Sequence, residues 1–89
     1  MSEVFRTEDS FYIVLSRSEK AVVKYRLKGR EIHVLSTYTP PEHRGKEVAE
    51  KLMGEVVKFA AREKLKIVPV CSYAQRYFEK HPELKELSQ

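Results

Sequence analysis

Residues Pro40-Pro41-Glu42-His43-Arg44-Gly45-Lys46 stand between a β-branched, alternating segment and a long helical pattern. Placed there, they suit the binding of a phosphate. A helix that starts near His43 or Arg44 opens with about four N–H groups lacking intrahelical partners and with the positive end of its dipole, so its mouth attracts an anion. Gly45 has no Cβ to keep that anion away. The plainer reading is that Pro40-Pro41 ends a strand and presets a helix entry. The other chemistry-bearing residues give less. His33, His43 and His81 are scattered and have no cysteine companions, so the sequence predicts no metal site. No Ser-His-Asp arrangement can be read from spacing alone, because such triads are defined by geometry.

The elements that must position this junction can be read from periodicity. Residues 11 to 16 form an apolar run of strand length, ended by the polar turn Arg17-Ser18-Glu19-Lys20. Ala21 to Lys28 puts Val23, Tyr25 and Leu27 on one face, and Glu31 to Tyr38 alternates after a Lys28-Gly29-Arg30 turn. These segments predict three antiparallel strands in meander order. From about His43 to Lys64, apolar Val48, Ala49, Leu52, Met53, Val56, Phe59 and Ala60 recur at helical spacing. Lys51, Glu55, Lys58, Arg62 and Glu63 fall largely on the opposite face, where solvated surface is the ordinary explanation. Lys66 to Cys71 reads as a strand, and Ser72 is placed to cap a shorter helix to about Lys80, stopped by His81-Pro82. A strand, a long helix and a second strand form a crossover, so residues 31–38 and 66–71 are predicted to be parallel neighbours. Tyr38, Arg44-Gly45 and Cys71 then meet at the C-terminal ends of the strands, where ligands of α/β sheets tend to bind.

Composition narrows the classes. A chain of 89 residues suits one domain spanning 1–89, with one small core. Apolar residues at 42% and charged ones at 34% are globular values, and no segment approaches the roughly 20 apolar residues of a membrane span. The N-terminus has no secretory pattern and the single cysteine cannot form an internal disulfide, so a reducing, cytoplasmic location is expected. The net charge of +4 favours an anionic partner without choosing one. Nucleic acid is the weaker choice at the main helix: Lys46, Lys51, Lys58, Arg62, Lys64 and Lys66 are interrupted by Glu47, Glu50, Glu55 and Glu63, and no recognised motif accompanies them.

Several separated motifs occur in an order that resembles a known family. They are Leu35-Ser36-Thr37-Tyr38-Thr39-Pro40-Pro41-Glu42-His43-Arg44-Gly45-Lys46, Ala49-Glu50-Lys51-Leu52, Val68-Pro69-Val70-Cys71-Ser72-Tyr73, and Tyr77-Phe78-Glu79-Lys80-His81-Pro82-Glu83. Together, over about residues 10 to 87, they resemble the small YjdJ-type branch of the GNAT N-acetyltransferase superfamily. The resemblance implies a trimmed α+β acetyltransferase fold: an antiparallel three-strand meander, a crossover helix, a parallel fourth strand and a short C-terminal helix. It also implies acetyl-coenzyme A as acyl donor, an amine acceptor that the residues leave unidentified, and no metal. Carried over by position, Tyr38 and Thr39 would lie along the pantetheine arm. Arg44, Gly45, Lys46, Glu47, Val48 and Ala49 would form the pyrophosphate loop, and Tyr73 and Arg76 would flank the cofactor's other side. Cys71 matches a position where the family has a candidate nucleophile, and a helix dipole there favours a thiolate. The alternative for Cys71 is a small buried residue in a closing strand. Tyr73 and Tyr77 share a helix face, so one of them is a candidate to protonate the leaving thiolate.

Two departures from the family pattern matter. Glu47 stands where a second glycine is usual; a carboxylate about 5 Å from a phosphate charge would cost roughly 3 kcal/mol at an effective dielectric of 20, and far less if screened by solvent. Ser36 stands where a histidine is common, which removes a candidate base, and strict alternation would put Ser36 and His33 on opposite faces. The chain is also short on the acceptor side, where larger members insert helices. A module that holds acetyl-coenzyme A without catalysis is the alternative reading.

Overall fold

The computed structural model describes residues 3–45 and 47–88. Alternating burial builds the sheet. In β2 (Ser10–Val14) Phe11 and Ile13 point inward, in β3 (Lys20–Lys28) Ala21, Val23 and Tyr25 do, and in β4 (Glu31–Tyr38) Ile32 and Val34 do. A further strand, β1 (Val4–Arg6), pairs antiparallel with β2, so the meander has four strands rather than the expected three. Three residues are too few for a period-two signal, so β1 is made by its neighbours. The buried ring of Tyr25 directs its hydroxyl to the Thr7 carbonyl at 2.5 Å, while Arg6 donates back to that hydroxyl and lies 4.4 Å over Phe59.

After β4 come a 3-10 turn (Pro41–His43), helix α1 (Val48–Glu63), β5 (Lys66–Pro69), helix α2 (Ser72–Lys80) and a final 3-10 turn (Pro82–Leu84). The sheet order is β1-β2-β3-β4-β5, with β5 parallel to β4 as a crossover requires. Helix α1 lays Leu52, Met53, Val56, Phe59 and Ala60 on one sheet face, and Ala74 of α2 joins the same core. Each large side chain removed from water there contributes about 1.5–3 kcal/mol. Its polar residues lie outside, with Lys58 pairing to Glu55 at 3.4 Å. The helix ends in a Schellman motif: Lys64 is left-handed at φ 59°, its N–H reaches Ala61, and the Leu65 N–H reaches Ala60 at 2.8 Å. Among the described residues no helix is long and apolar enough to cross a membrane.

Three local expectations are corrected. Helix α1 begins at Val48, not near His43, because Gly45 at φ 83° and Glu47 at φ 61° both leave the right-handed helical region. Strand β5 ends at Pro69 rather than Cys71. The register of β3 against β4 slips by one between Lys24 and Tyr25: Tyr25 faces Val34 while Lys24 faces Ser36, so Leu35 is an extra residue on β4. This bulge reverses the alternation. Thr37, opposite buried Val23, turns inward, and Ser36 shares the outer face with His33 instead of opposing it.

Tyr25→Phe should lower stability by about 1–1.5 kcal/mol, because the Thr7 carbonyl loses its donor. Urea unfolding would show a lower midpoint at unchanged slope, with faster amide exchange in residues 4–6.

Candidate functional site

The site starts where β4 and β5 part. Pairing runs from Glu31–Lys66 to Val34–Pro69, and the Val34 carbonyl then accepts from both Val70 N–H (3.0 Å) and Cys71 N–H (3.1 Å). Both bonds go to one oxygen, so the ladder advances no further. Beyond this point β4 stays paired to β3 through Thr37–Val23 and Tyr38–Val22, while its other edge has no strand partner among the described residues.

The gap opens into a cleft of about 710 Å³, a size usual for small-molecule sites. Tyr38, Thr39, Arg44, Gly45, Glu47, Val48, Ala49, Tyr73 and Arg76, all singled out in the sequence, border it. Lys46 lies outside the described residues. Cys71 does not border the cleft: it is half-buried against the core, and its Sγ accepts from Ala74 N–H at 3.4 Å as the N-cap of α2, the role expected of Ser72. Tyr77 is also absent from the wall and stacks on His81, 4.3 Å between ring centres. Thr37, His43, Glu50 and Ser72 border the cleft without having been foreseen. Thr37 depends on the bulge, which alternation hides. Glu50 shows as one more polar helix residue until α2 is packed beside it.

Backbone conformation shapes the mouth. The first i→i−4 bond of α1 is Lys51 N–H to the Glu47 carbonyl, so the N–H groups of Val48, Ala49 and Glu50 precede any intrahelical acceptor, and no side chain caps them from Glu47. No atom lies within 4 Å of where a Cβ on Gly45 would stand. The glycine is thus required by its φ of 83°, and it leaves open space beside the helix mouth. The Arg44 Nε donates to the Thr39 carbonyl at 2.9 Å, fastening the loop to the end of β4. His43 and Glu19, 3.3 Å apart, hold the 3-10 turn against the β2–β3 turn.

The charges are mixed. Arg44 and Arg76 border the cleft with the exposed carboxylates Glu47 and Glu50. Partial burial first, and the Glu50 carboxylate second, push the Tyr73 and Tyr77 phenols above their ordinary value of 10.0. Both are therefore protonated at neutral pH, each with a phenolic proton to donate. A helix N-terminus without a side-chain cap, an open glycine and a strand edge without a partner are the donor and acceptor set that a pantetheine-linked diphosphate requires. Such a group therefore fits the cleft.

The match of the chain to known proteins agrees with this arrangement. Residues 10–87 match the family model of the GCN5-related N-acetyltransferases. The chain belongs to that family. It is also similar to a Staphylococcus aureus protein assigned to the GCN5-like N-acetyltransferases and solved by NMR in solution. The identity is 30%, with 98% of this chain and 87% of that one covered, at a TM-score of 0.82. No protein of curated function matches it significantly. GNAT membership accounts for the mixed sheet and for β4 and β5 as parallel neighbours.

A left-handed residue other than glycine is strained by roughly 1–2 kcal/mol. Glu47→Gly should therefore raise the melting temperature by about 4–8 °C, and Gly45→Ala should lower it although there is room for the methyl group. Because folding holds the two phenolic protons more tightly than the unfolded chain does, stability should fall as pH rises past about 10. Thermal melts between pH 8 and 11 should show this decline, and the Tyr73→Phe/Tyr77→Phe double variant should flatten it.

Proposed function

We propose that the chain binds acetyl-coenzyme A in this cleft and transfers the acetyl group to an amine. The observation that carries the reading is the parting of β4 and β5 directly beside the start of α1. The free edge of Tyr38 and Thr39 would pair with the amides of the pantetheine arm as an added strand does. The N–H groups of Val48 and Ala49, beside Gly45, would take the diphosphate, with Arg76 available from the facing helix. Lys46 belongs to the same proposed loop by its place in the sequence.

In the transfer, the amine nitrogen attacks the thioester carbonyl, the C–N bond forms, the C–S bond breaks, and a proton leaves the nitrogen as the thiolate gains one. The oxyanion needs a fixed donor where its charge develops. Leu35, the bulged residue, stands next to the point where β4 and β5 part, and its main-chain N–H is a candidate. Tyr73, protonated and on the cleft wall, is the candidate donor to the sulfur, with water restoring its proton.

Direct transfer is the route we favour, because Cys71 Sγ is engaged at the N-cap of α2 and away from the wall. A route through Cys71 has one observation in its support: its main-chain N–H closes the β4–β5 pairing, so the thiol is anchored beside the gap. A module that only holds the coenzyme is favoured by Ser36, which leaves the bulge with no imidazole of its own.

Calorimetry with acetyl-coenzyme A should saturate at one site, with Arg76→Ala weakening it roughly tenfold and Glu47→Gly tightening it. No saturable heat would end the reading. Intact mass after mixing should show no acetylated protein on the direct route. An acetyl adduct abolished by Cys71→Ala would assign the covalent one, and coenzyme binding without turnover on any amine would leave the holding module.

A further inference from the structure

The core and both helices lie against one face of the sheet, and no element covers the other face among the described residues. The cleft is bordered by the loop before α1, the first turn of α1 and the first turns of α2, so a donor bound there fills the helix side of the gap. An acceptor must approach from the bare face.

That face has a definite chemistry. On β3, the central strand, Lys20, Val22, Lys24, Arg26 and Lys28 all point outward, opposite in sense to buried Ala21, Val23 and Tyr25. Four cations therefore stand along one strand at intervals of about 7 Å, apart from one gap at Val22. The side chains of Lys24 and Arg26 have no hydrogen bond, ion pair or ring contact with any described residue, and Lys28 lies opposite Glu31. Among the outward residues of β2, β3 and β4 the one carboxylate is Glu31, which is engaged by His33 at 2.9 Å. Lysines on an edge strand would be explained as a guard against aggregation, but β3 has a strand on each side. Lys24 lies opposite Ser36, and Val22 opposite Tyr38, so the strip reaches the bulge and the rim of the cleft. Across the strands, Phe5, Tyr12, Val22 and Tyr38 form a single apolar row that crosses it.

We propose that this face docks the acceptor, and that the acceptor is an amine carried on an acidic polypeptide segment. The inference rests on the reading of the cleft as a donor site. A strip of unpaired cations repels an ammonium on a basic or uncharged molecule, and it holds one whose neighbours are carboxylates. It also favours the unprotonated amine that attack needs, which matters where Ser36 supplies no imidazole. The apolar row would take the segment's apolar side chains. A peptide suits this surface better than a nucleic acid, because two of the three rings in the row are already engaged. Phe5 and Tyr12 stack on each other at 5.4 Å, and Lys20 Nζ sits 4.9 Å over Tyr12, so Tyr38 offers the one open ring face where successive bases need several. A shallow hollow floored by Tyr12 and Val22 between Lys20 and Lys24 is bordered also by Glu8 and Asp9, and the Asp9 carboxylate is engaged by the Thr7 hydroxyl.

The test uses short, N-terminally blocked peptides with one central lysine flanked by glutamate, serine or arginine, each incubated with the whole chain and acetyl-coenzyme A. The glutamate peptide should be acetylated at least about tenfold more efficiently than the serine peptide, and the arginine peptide least. This preference should shrink several-fold between low and about 0.5 M salt. The Lys24→Ser/Arg26→Ser double variant should erase it while its calorimetric binding of acetyl-coenzyme A stays at the level of the unaltered chain. Equal rates on all three peptides, or a preference untouched by the double variant, would overturn the proposal. So would stronger competition by oligothymidylate than by polyglutamate, which would point to nucleic acid. Donor heat with no peptide acetylated would sink the acceptor inference alone, whereas absent donor heat would remove the reading beneath it as well.

Discussion

One carbonyl governs the layout of this molecule. The Val34 oxygen takes both the Val70 and the Cys71 N–H groups, and the parallel pairing of β4 with β5 ends there. Had the ladder continued, the edge of β4 would be satisfied by protein and no cleft would exist. Because it stops, Thr37 and Tyr38 keep one edge on β3 and offer the other outward, while α2 turns away from the end of β5. Every residue that borders the cleft is placed relative to that point.

Two residues on either side of Lys46 then set the mouth. Gly45 and Glu47, both at positive φ, turn the chain so that α1 starts with its N–H groups facing the gap rather than running on from the prolines. The glutamate at the second of these positions carries local strain, and its side chain caps no helix N–H. Against this, Arg44 is committed to the loop through Thr39, and Arg76 faces from α2 without a described partner. Recognition of an anion in such a site depends on main-chain dipoles more than on net side-chain charge.

The two faces of the sheet divide the labour. One carries the whole core and the cleft's helical wall, and the other carries the cations of β3 with a narrow apolar row. Both described helices lie on the core side, so among the described residues the charge pattern of the other face is not hidden by packing.

Much of this was legible from the residues alone. An apolar run located β2, period-two alternation located β3 and β4, helical spacing located α1 but started it too early, and the motifs around Arg44-Gly45 and Val68 to Tyr73 carried the family. What escaped has a common cause. The bulge at Leu35, the short strand β1, the capping by Cys71 and the nearness of Glu50 to Tyr73 each depend on which residue of another segment lies opposite, and that is a property of register and packing. The sequence by itself determined which segments are strand or helix, because periodicity and turn residues act within a few positions. Only the tertiary structure decided that Thr37 turns into the cleft while Ser36 turns out, since one inserted residue reverses the faces of a strand and leaves no mark on composition.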